Sequence, residues 1–484
     1  MTQRAKGLQQ PENSSLPAHL PQFMEKMNRV GLPEAVQETF AYYYGRLAAG
    51  NTGLIHEVAI RPLAPEALPH AAHLEGYSRI GGKLLNQTAM IKLNGGLGTS
   101  LGLRRTKSLL KALNGKSFLE TILYQADVQN VQLVLMNSFH THAETRAAIH
   151  RIQPRSMPLF FLQHQFPKVL QDDFAPAQWP IDPRLEWSPA GHGDLFAALY
   201  FSGILQELLN KGIKYAFVSN ADNLGAVVEP SLLGYFAAHD LAFMMEVAER
   251  IRNDQKGGHL ACRADGTLVL RELAQCPRQD LNAFSDIRRH RLFNTNNIWL
   301  HLGHVKEIMS AGQGFRLPFF ANPKTLDPTD ARSPAVYQIE TAMGHAIGLF
   351  PKATAVLVPR RRFLPVKKSS DLLIVRSDLM RLGEDGRVVT QPNRRRRLPF
   401  VKLDPLYFKT MDGFFKRLPA IPSLQFCDSL EIAGDVKFEP GVIIKGHVRI
   451  ENLRSSQAIV PGGSILQGKI RFLSDLHSKG GTRA

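Results

Sequence analysis

Between Met90 and Leu110 the chain reads MIKLNGGLGTSLGLRRTKSLL: an apolar lead-in, then Gly95, Gly96 and Gly98, then Arg104, Arg105 and Lys107 before a new apolar run. Glycines that follow a strand let backbone N–H groups approach a bulky anion, because no Cβ intervenes. Gly95 and Gly96 are therefore placed to read a base edge or cradle a phosphate, while Lys107 reaches triphosphate oxygens. Two common phosphate motifs fail here. A P-loop requires GxxxxGK(S/T), and no glycine directly precedes Lys107 and Ser108. The dinucleotide fingerprint GxGxxG starts at Gly96 and Gly98, but its third glycine comes one place late, at Gly102. What remains needs no nucleophile and base, since phosphoryl and nucleotidyl transfers run largely on positioning and charge neutralisation.

Such residues need elements that bring them together. The runs TAMIKL, VQLVLMNS, MPLFFLQH and KYAFVSNADN read as strands, and THAETRAAIHRI as a helix. KSLLKALNGKSFLETILYQ (107–125) reads as a helix, and GDLFAALYFSGILQELLNKG (193–212) as one long helix. This alternation predicts a mostly parallel sheet flanked by helices, whose ligands sit outside the carboxyl ends of the strands. The polar clusters LNGG, QH and NADN each close an apolar strand, which is where that rule puts a site.

Upstream, residues 1–20 are polar and rich in Pro and Ser, and are expected to be disordered. From Met24 to Leu47 apolar residues fall at helical spacing, with Gly50 and Asn51 as a stop. From about Asp404 short β runs alternate with Gly, Pro and Asp, which predicts a small β-helix or β-sandwich. The tail HSKGGTRA is expected to be mobile. The division expected is 1–85 N-terminal, 86–385 catalytic, and 386–484 linker and C-terminal β domain.

At 484 residues the chain exceeds a single compact core. Its 59 Lys+Arg against 42 Asp+Glu leave a formal charge of +17, which invites anionic partners. A nucleic-acid binder would interleave aromatics with Lys and Arg on one face, whereas these aromatics sit mainly in apolar runs. Three well-separated cysteines (Cys262, Cys276, Cys427) exclude a disulfide framework and a CxxC zinc pattern. Neither an apolar signal core nor a run of the roughly 18 apolar residues that a span needs is visible. A cytoplasmic protein without membrane or nucleic-acid partners is expected.

Several further motifs follow the glycine turn: FLQHQFPK, SPAGHGDLFAAL, FVSNADNLGA, MEVAERIRNDQKGG, RELAQ, FNTNNIW, QIETAMGHAI and VPRRRFLPVKKSSDLL. In this order, over roughly residues 85–450, they resemble the UTP–glucose-1-phosphate uridylyltransferases (UDP-glucose pyrophosphorylases). The resemblance implies an α/β fold: a Rossmann-like mixed sheet of the nucleotide-diphospho-sugar transferase type with flanking helices. It also implies a small N-terminal helical region and a C-terminal left-handed β-helix. The implied reaction is UTP plus glucose 1-phosphate giving UDP-glucose and pyrophosphate, assisted by Mg²⁺.

Carried over position by position, Leu93, Asn94, Gly95 and Gly96 would contact the uridine end through their backbone. Gln163 and Gly191 would read uracil, a carboxamide matching its donor and acceptor edge. Lys107 and Lys367 would hold the phosphates and serve as the catalytic residues. Asp222 matches the metal-binding aspartate, a natural Mg²⁺ ligand beside a triphosphate. His192, Asn220, Ala221, Gly258, Glu272 and Asn296 match positions around the sugar phosphate. Where the family commonly has Gly-Pro before the first lysine, this chain has Arg105 and Thr106. Related pyrophosphorylases for other sugars tend to open this loop with AGG, so LNGG favours glucose. A non-catalytic UDP-glucose sensor is disfavoured by the joint presence of Lys107, Asp222 and Lys367. The Arg394–Arg397 cluster reads as a solvated linker. Assembly into a homo-oligomer does not transfer, because the region after Glu451 diverges.

Overall fold

In a computed structural model of the chain, the described residues are 18–473 except Arg104, 312–315, Thr329 and 392–397. The expectations for the N-terminus up to residue 17, for Arg394–Arg397 and for the HSKGGTRA tail lie outside them.

Two helices open the described chain, α1 (Leu20–Arg29) and α2 (Glu34–Ala48). The helical pattern from Met24 onward is broken at Gly31, whose φ of 69° ends α1, and at Pro33, which precedes α2. Phe23, Phe40 and Tyr44 pack with Phe166 and Ile339 from the body of the protein.

The body alternates as its sequence predicts: β1 (Thr88–Asn94), α3 (Phe118–Val128), β2 (Gln132–Asn137), α4 (His142–Ile152) and β3 (Leu159–Leu162). Then come α5 (Leu195–Phe201), α6 (Ile204–Asn210) and β4 (Tyr215–Asn220). Two expected helices are shorter than predicted. Residues 107–117 form short turns, and α3 starts only at Phe118, because Ser117 and Glu120 make a reciprocal capping box. The long helix expected over 193–212 is broken between α5 and α6 at Gly203, held at φ 78°.

β5 (Phe243–Glu249), β6 (His259–Cys262), β7 (Leu268–Arg271), β8 (Leu292–His301) and β9 (Ala353–Leu357) complete most of a ten-stranded sheet. β1 lies between β2 and β4, parallel to both. β9 also runs parallel to β5, at the other side of the sheet. β8 runs antiparallel to β4 and to β5, so the sheet is mixed rather than mostly parallel. The chain steps from β1 outward to β2 and β3, then crosses back to β4 on the other flank of β1. That reversal makes the β1/β4 junction a topological switch point, and its crevice opens at the carboxyl ends.

Adjacent β4 residues serve opposite faces: Phe217 packs in one core cluster with Leu119, Phe236 and Trp299, and Val218 in another with Leu199, Met245 and Leu300. This is the pattern of a strand buried on both sides. After α7 (Ser369–Arg376) the chain builds β10 (Phe400–Leu403), β11 (Ser423–Ala433), β12 (Val436–Phe438), β13 (Ile443–Asn452), β14 (Ala458–Val460) and β15 (Ile465–Phe472). They form two parallel sheets, β10-β11-β13-β15 and β12-β14. Leu424, Leu430, Ile444 and Ile450 join the same apolar cluster as Leu119. No described helix is long and apolar enough to cross a membrane.

Candidate active site

At the switch point Leu93 pairs with Asn220, and the Leu93 carbonyl accepts the Ala221 N–H at 3.1 Å. Asn94 is 3% exposed and turns its amide inward, to Asn137 Oδ1 at 2.7 Å and Thr145 Oγ1 at 3.0 Å. Both of its amide donors are thereby used within the protein. The chain then leaves the sheet through Gly95. A Cβ there would lie 2.9 Å from Gln163 Oε1, so glycine lets the turn and the glutamine meet. Gln163 Nε2 in turn donates to the Gly191 carbonyl at 2.6 Å. Gly191 sits at φ 84°, and a Cβ would fall 2.3 Å from the Thr341 carbonyl oxygen. Three predicted base-reading positions, far apart in sequence, thus meet around one end of β1.

Lys107 and Asp222 form the next group. Lys107 Nζ donates to Asp222 Oδ2 at 2.5 Å, and both side chains are largely shielded. The Lys107 N–H binds the Gly96 carbonyl at 3.3 Å, which folds the glycine loop back onto β1. At the departure from the family pattern, the Thr106 N–H donates to Glu144 Oε2 at 2.7 Å, a bond that a proline could not make. Lys367 lies just before α7, where Asp371 Oδ2 accepts the N–H groups of Lys367 and Lys368 at 2.9 and 2.8 Å. Its charge is felt by both His192 and Glu272.

His192 is neutral. Burial first, and the Lys367 ammonium second, push its pKa down to about 4. Its Nδ1 accepts the Met343 N–H at 3.2 Å, which assigns the proton to Nε2 and makes that nitrogen a donor.

The remaining predicted positions gather around Glu272. A Cβ on Gly258 would lie 2.6 Å from the Glu272 carboxylate oxygens. Asn294 Nδ2 reaches Glu272 Oε1 at 3.5 Å and Asn296 Oδ1 at 2.8 Å. Asn296 adopts φ 57° in a bulge of β8 between Asn294 and Asn297. Burial raises the Glu272 carboxyl, opposed by Asn294 and by Lys367.

Sequence reasoning missed what supports these residues. Lys92, Glu246 and Trp299 are 0% exposed and Arg362 is 4% exposed, so a charged network runs under the site. Arg362 donates to both Glu246 oxygens, at 2.8 and 2.6 Å, and Trp299 Nε1 adds a third bond at 2.9 Å. Lys92 Nζ binds Ser219 Oγ at 2.8 Å and the Ala226 carbonyl at 2.6 Å. Burial, then the Arg362 charge, lowers its pKa to about 7 against the pull of Glu246 and Asp222. The signal was present: a charge inside an apolar strand, as in TAMIKL or FMMEVA, demands a buried partner. His164, beside Gln163, was also missed. Its Nδ1 and N–H bind Asp194 at 2.9 and 2.6 Å, which ties the FLQH and AGHGD loops together. Burial works against protonation of His164, but Asp194 outweighs it and raises the pKa.

A metal at Asp222 would find one protein carboxylate, because the described residues contain no group of three or more His, Cys, Asp or Glu that could hold an ion. A single hard oxygen ligand, with water and phosphate oxygens for the rest, is the donor set that suits Mg²⁺.

Residues 37–445 match the sequence model of the UTP–glucose-1-phosphate uridylyltransferase family. The chain is 38% identical over 396 residues to the enzyme of that name from Solanum tuberosum, covering 80% of this chain and 81% of that enzyme. For the Saccharomyces cerevisiae enzyme the identity is 39% over 398 residues, covering 80% and 78%. A mutant UDP-glucose pyrophosphorylase from Leishmania major, solved in complex with UDP-glucose, is similar at a TM-score of 0.85 and 38% identity, over 95% of this chain and 99% of that one. UDP-glucose phosphorylase from Trypanosoma brucei gives a TM-score of 0.85 at 41% identity, over 94% and 99%. This chain belongs to the UTP–glucose-1-phosphate uridylyltransferase family.

Proposed function

We propose that the protein catalyses reversible uridylyl transfer from UTP to glucose 1-phosphate. The observation that carries this reading is the Lys107–Asp222 pair at the switch-point crevice, beside the glycine turn. An ammonium and a carboxylate side by side support this reading, since a triphosphate calls for a cation on its oxygens and a hard ligand for a metal.

The uracil edge lies against the backbone of Leu93 to Gly96, Gln163 and Gly191. Lys107 and Lys367 hold the phosphates. His192 donates from Nε2 to the sugar phosphate without moving a proton, and Asn220, Ala221, Gly258, Glu272 and Asn296 surround the sugar. Asp222 would hold Mg²⁺, which neutralises charge on the triphosphate when bound. A phosphate oxygen of glucose 1-phosphate attacks the α-phosphorus of UTP in line. The bond from that phosphorus to the bridging oxygen breaks, and pyrophosphate leaves with its electron pair. One phosphoanhydride replaces another, so the reaction runs both ways.

Three finer readings accompany this one. The stacked parallel pairing of β10 to β15 supports a left-handed β-helix at the C-terminus. The division at residues 1–85, 86–385 and 386–484 is supported by α1 and α2 in the first part, the main sheet in the second and the parallel strands β10 to β15 in the third. Free Cys262, Cys276 and Cys427 suit a reducing cytoplasm.

The test is pyrophosphate release from UTP and Mg²⁺ with glucose 1-phosphate, N-acetylglucosamine 1-phosphate or galactose 1-phosphate. Release with glucose 1-phosphate alone is expected, and Lys107→Ala or Lys367→Ala should lower turnover by about 100-fold or more. Release with another sugar only would move the substrate. No release with any would overturn the reading.

A further inference from the structure

Asp222 and Lys367 belong to segments far apart in sequence, yet one side chain sews their loops together. Asn223 is 1% exposed. Its Nδ2 donates to Asn297 Oδ1 at 3.2 Å and to the Arg362 carbonyl at 3.1 Å, and its Oδ1 accepts the Leu364 N–H at 2.8 Å. Its backbone pairs antiparallel with Pro365, and the Val366 N–H donates to the Asp222 carbonyl at 3.3 Å. Behind it, Asn297 Nδ2 binds Glu246 Oε2 at 2.9 Å, and Glu246 holds Arg362. Both donors of the Asn223 amide are thus committed, one to β8 and one to the helical turn Arg360–Arg362 that precedes Lys367. No other side chain of this shape does the same. Aspartate has no N–H to give, and leucine has neither donor nor acceptor, so either would leave buried carbonyls or N–H groups without partners.

We propose that Asn223 is a positioning residue that sets the separation between the Asp222 carboxylate and the Lys367 ammonium. The cation-binding end and the leaving-phosphate end of the site then move as one unit. This rests on the functional reading above, in which those two groups hold the same triphosphate. A small displacement of either loop would break the alignment that in-line transfer needs, while the sugar pocket around Glu272 stays in place.

The experiment compares full-length wild type with Asn223→Asp and Asn223→Ser, the serine retaining one short donor. Three quantities are measured: turnover per UDP-glucose-binding site, KM for glucose 1-phosphate, and manganese(II) binding in the presence of UTP, followed by electron paramagnetic resonance. For Asn223→Asp we expect turnover per site to fall about 100-fold and manganese affinity about 10-fold, with KM for glucose 1-phosphate within about 3-fold of wild type. Asn223→Ser should fall between the two. A residue that only stabilised the fold would reduce the number of binding sites and leave turnover per site and manganese affinity unchanged, which would overturn the proposal. Should Asn223→Asp fail to fold, Asn223→Ser decides the question on the same readouts. Wild type that releases no pyrophosphate would overturn the functional reading, and this proposal with it.

Discussion

His192 shows how little a single residue's type says until its surroundings are known. An imidazole beside phosphate chemistry invites a role in proton transfer, yet its pKa of about 4 keeps it neutral at pH values well above that. Activity between pH 5.5 and pH 9 should therefore show no ionisation that disappears in His192→Gln. The same shift bears on stability. In the unfolded chain this histidine takes up its proton near the ordinary value of 6.5, but in the folded chain only near 4. Protonation below 6.5 therefore favours the unfolded state, and stability falls as pH drops from 6.5 towards 4. His345, also held down to about 4 by burial, adds to the same trend. Each contributes a slope of about 1.4 kcal/mol per pH unit within that window. Melting temperature against pH should show the loss, and His192→Gln should flatten it; an unchanged slope would put His192 at its ordinary pKa. Gln163 and Asp222 were legible because they follow strand ends, and Lys107 because it closes the glycine loop that leaves β1. Asn223 and Arg362 were not readable as supports, since their side-chain partners lie 74 to 141 residues away along the chain.

Among the elements, the strands around β1 were legible because apolar runs ending in LNGG, QH and NADN have one physical reading. The antiparallel half was not. β8 reads FNTNNIWLH, and its asparagines mask a strand that pairs with β4 on one side and β5 on the other. The break between α5 and α6 was hidden because a lone glycine is compatible with a helix interior at modest cost. The Gly191 loop gives the prediction at this scale. Alanine there meets both a positive φ and the Thr341 backbone 2.3 Å away. Gly191→Ala should raise KM for UTP about 10-fold or more through Gln163, which bonds the Gly191 carbonyl, and shift KM for glucose 1-phosphate much less. Equal shifts in both would show that the loop does not distinguish base from sugar. Gly203, at a similar φ of 78° but with open space around its Cβ and outside the site, is the matched control.

For the whole molecule, the apolar packing joins segments far apart in the chain. Leu430 and Ile444 of the parallel strands share one apolar cluster with Leu119, Phe217 and Trp299 of the main sheet. The protein should therefore unfold in urea as one unit. With Cys262 and Cys276 replaced by serine, thiol labelling of buried Cys427 should share its midpoint with the loss of the central Trp299 environment. Earlier labelling would mean that the terminal strands open independently.

That shared cluster also shapes how the chain is made. Leu119, Ile122 and Phe236 leave the ribosome early, but the members of their apolar cluster from Leu424 to Ile450 are translated much later. Through most of synthesis the nascent protein carries an uncovered greasy surface, which makes premature association between nascent chains the main hazard of its birth. Slowing elongation should then cost yield rather than improve it, unless a chaperone shields that face until the final strands arrive.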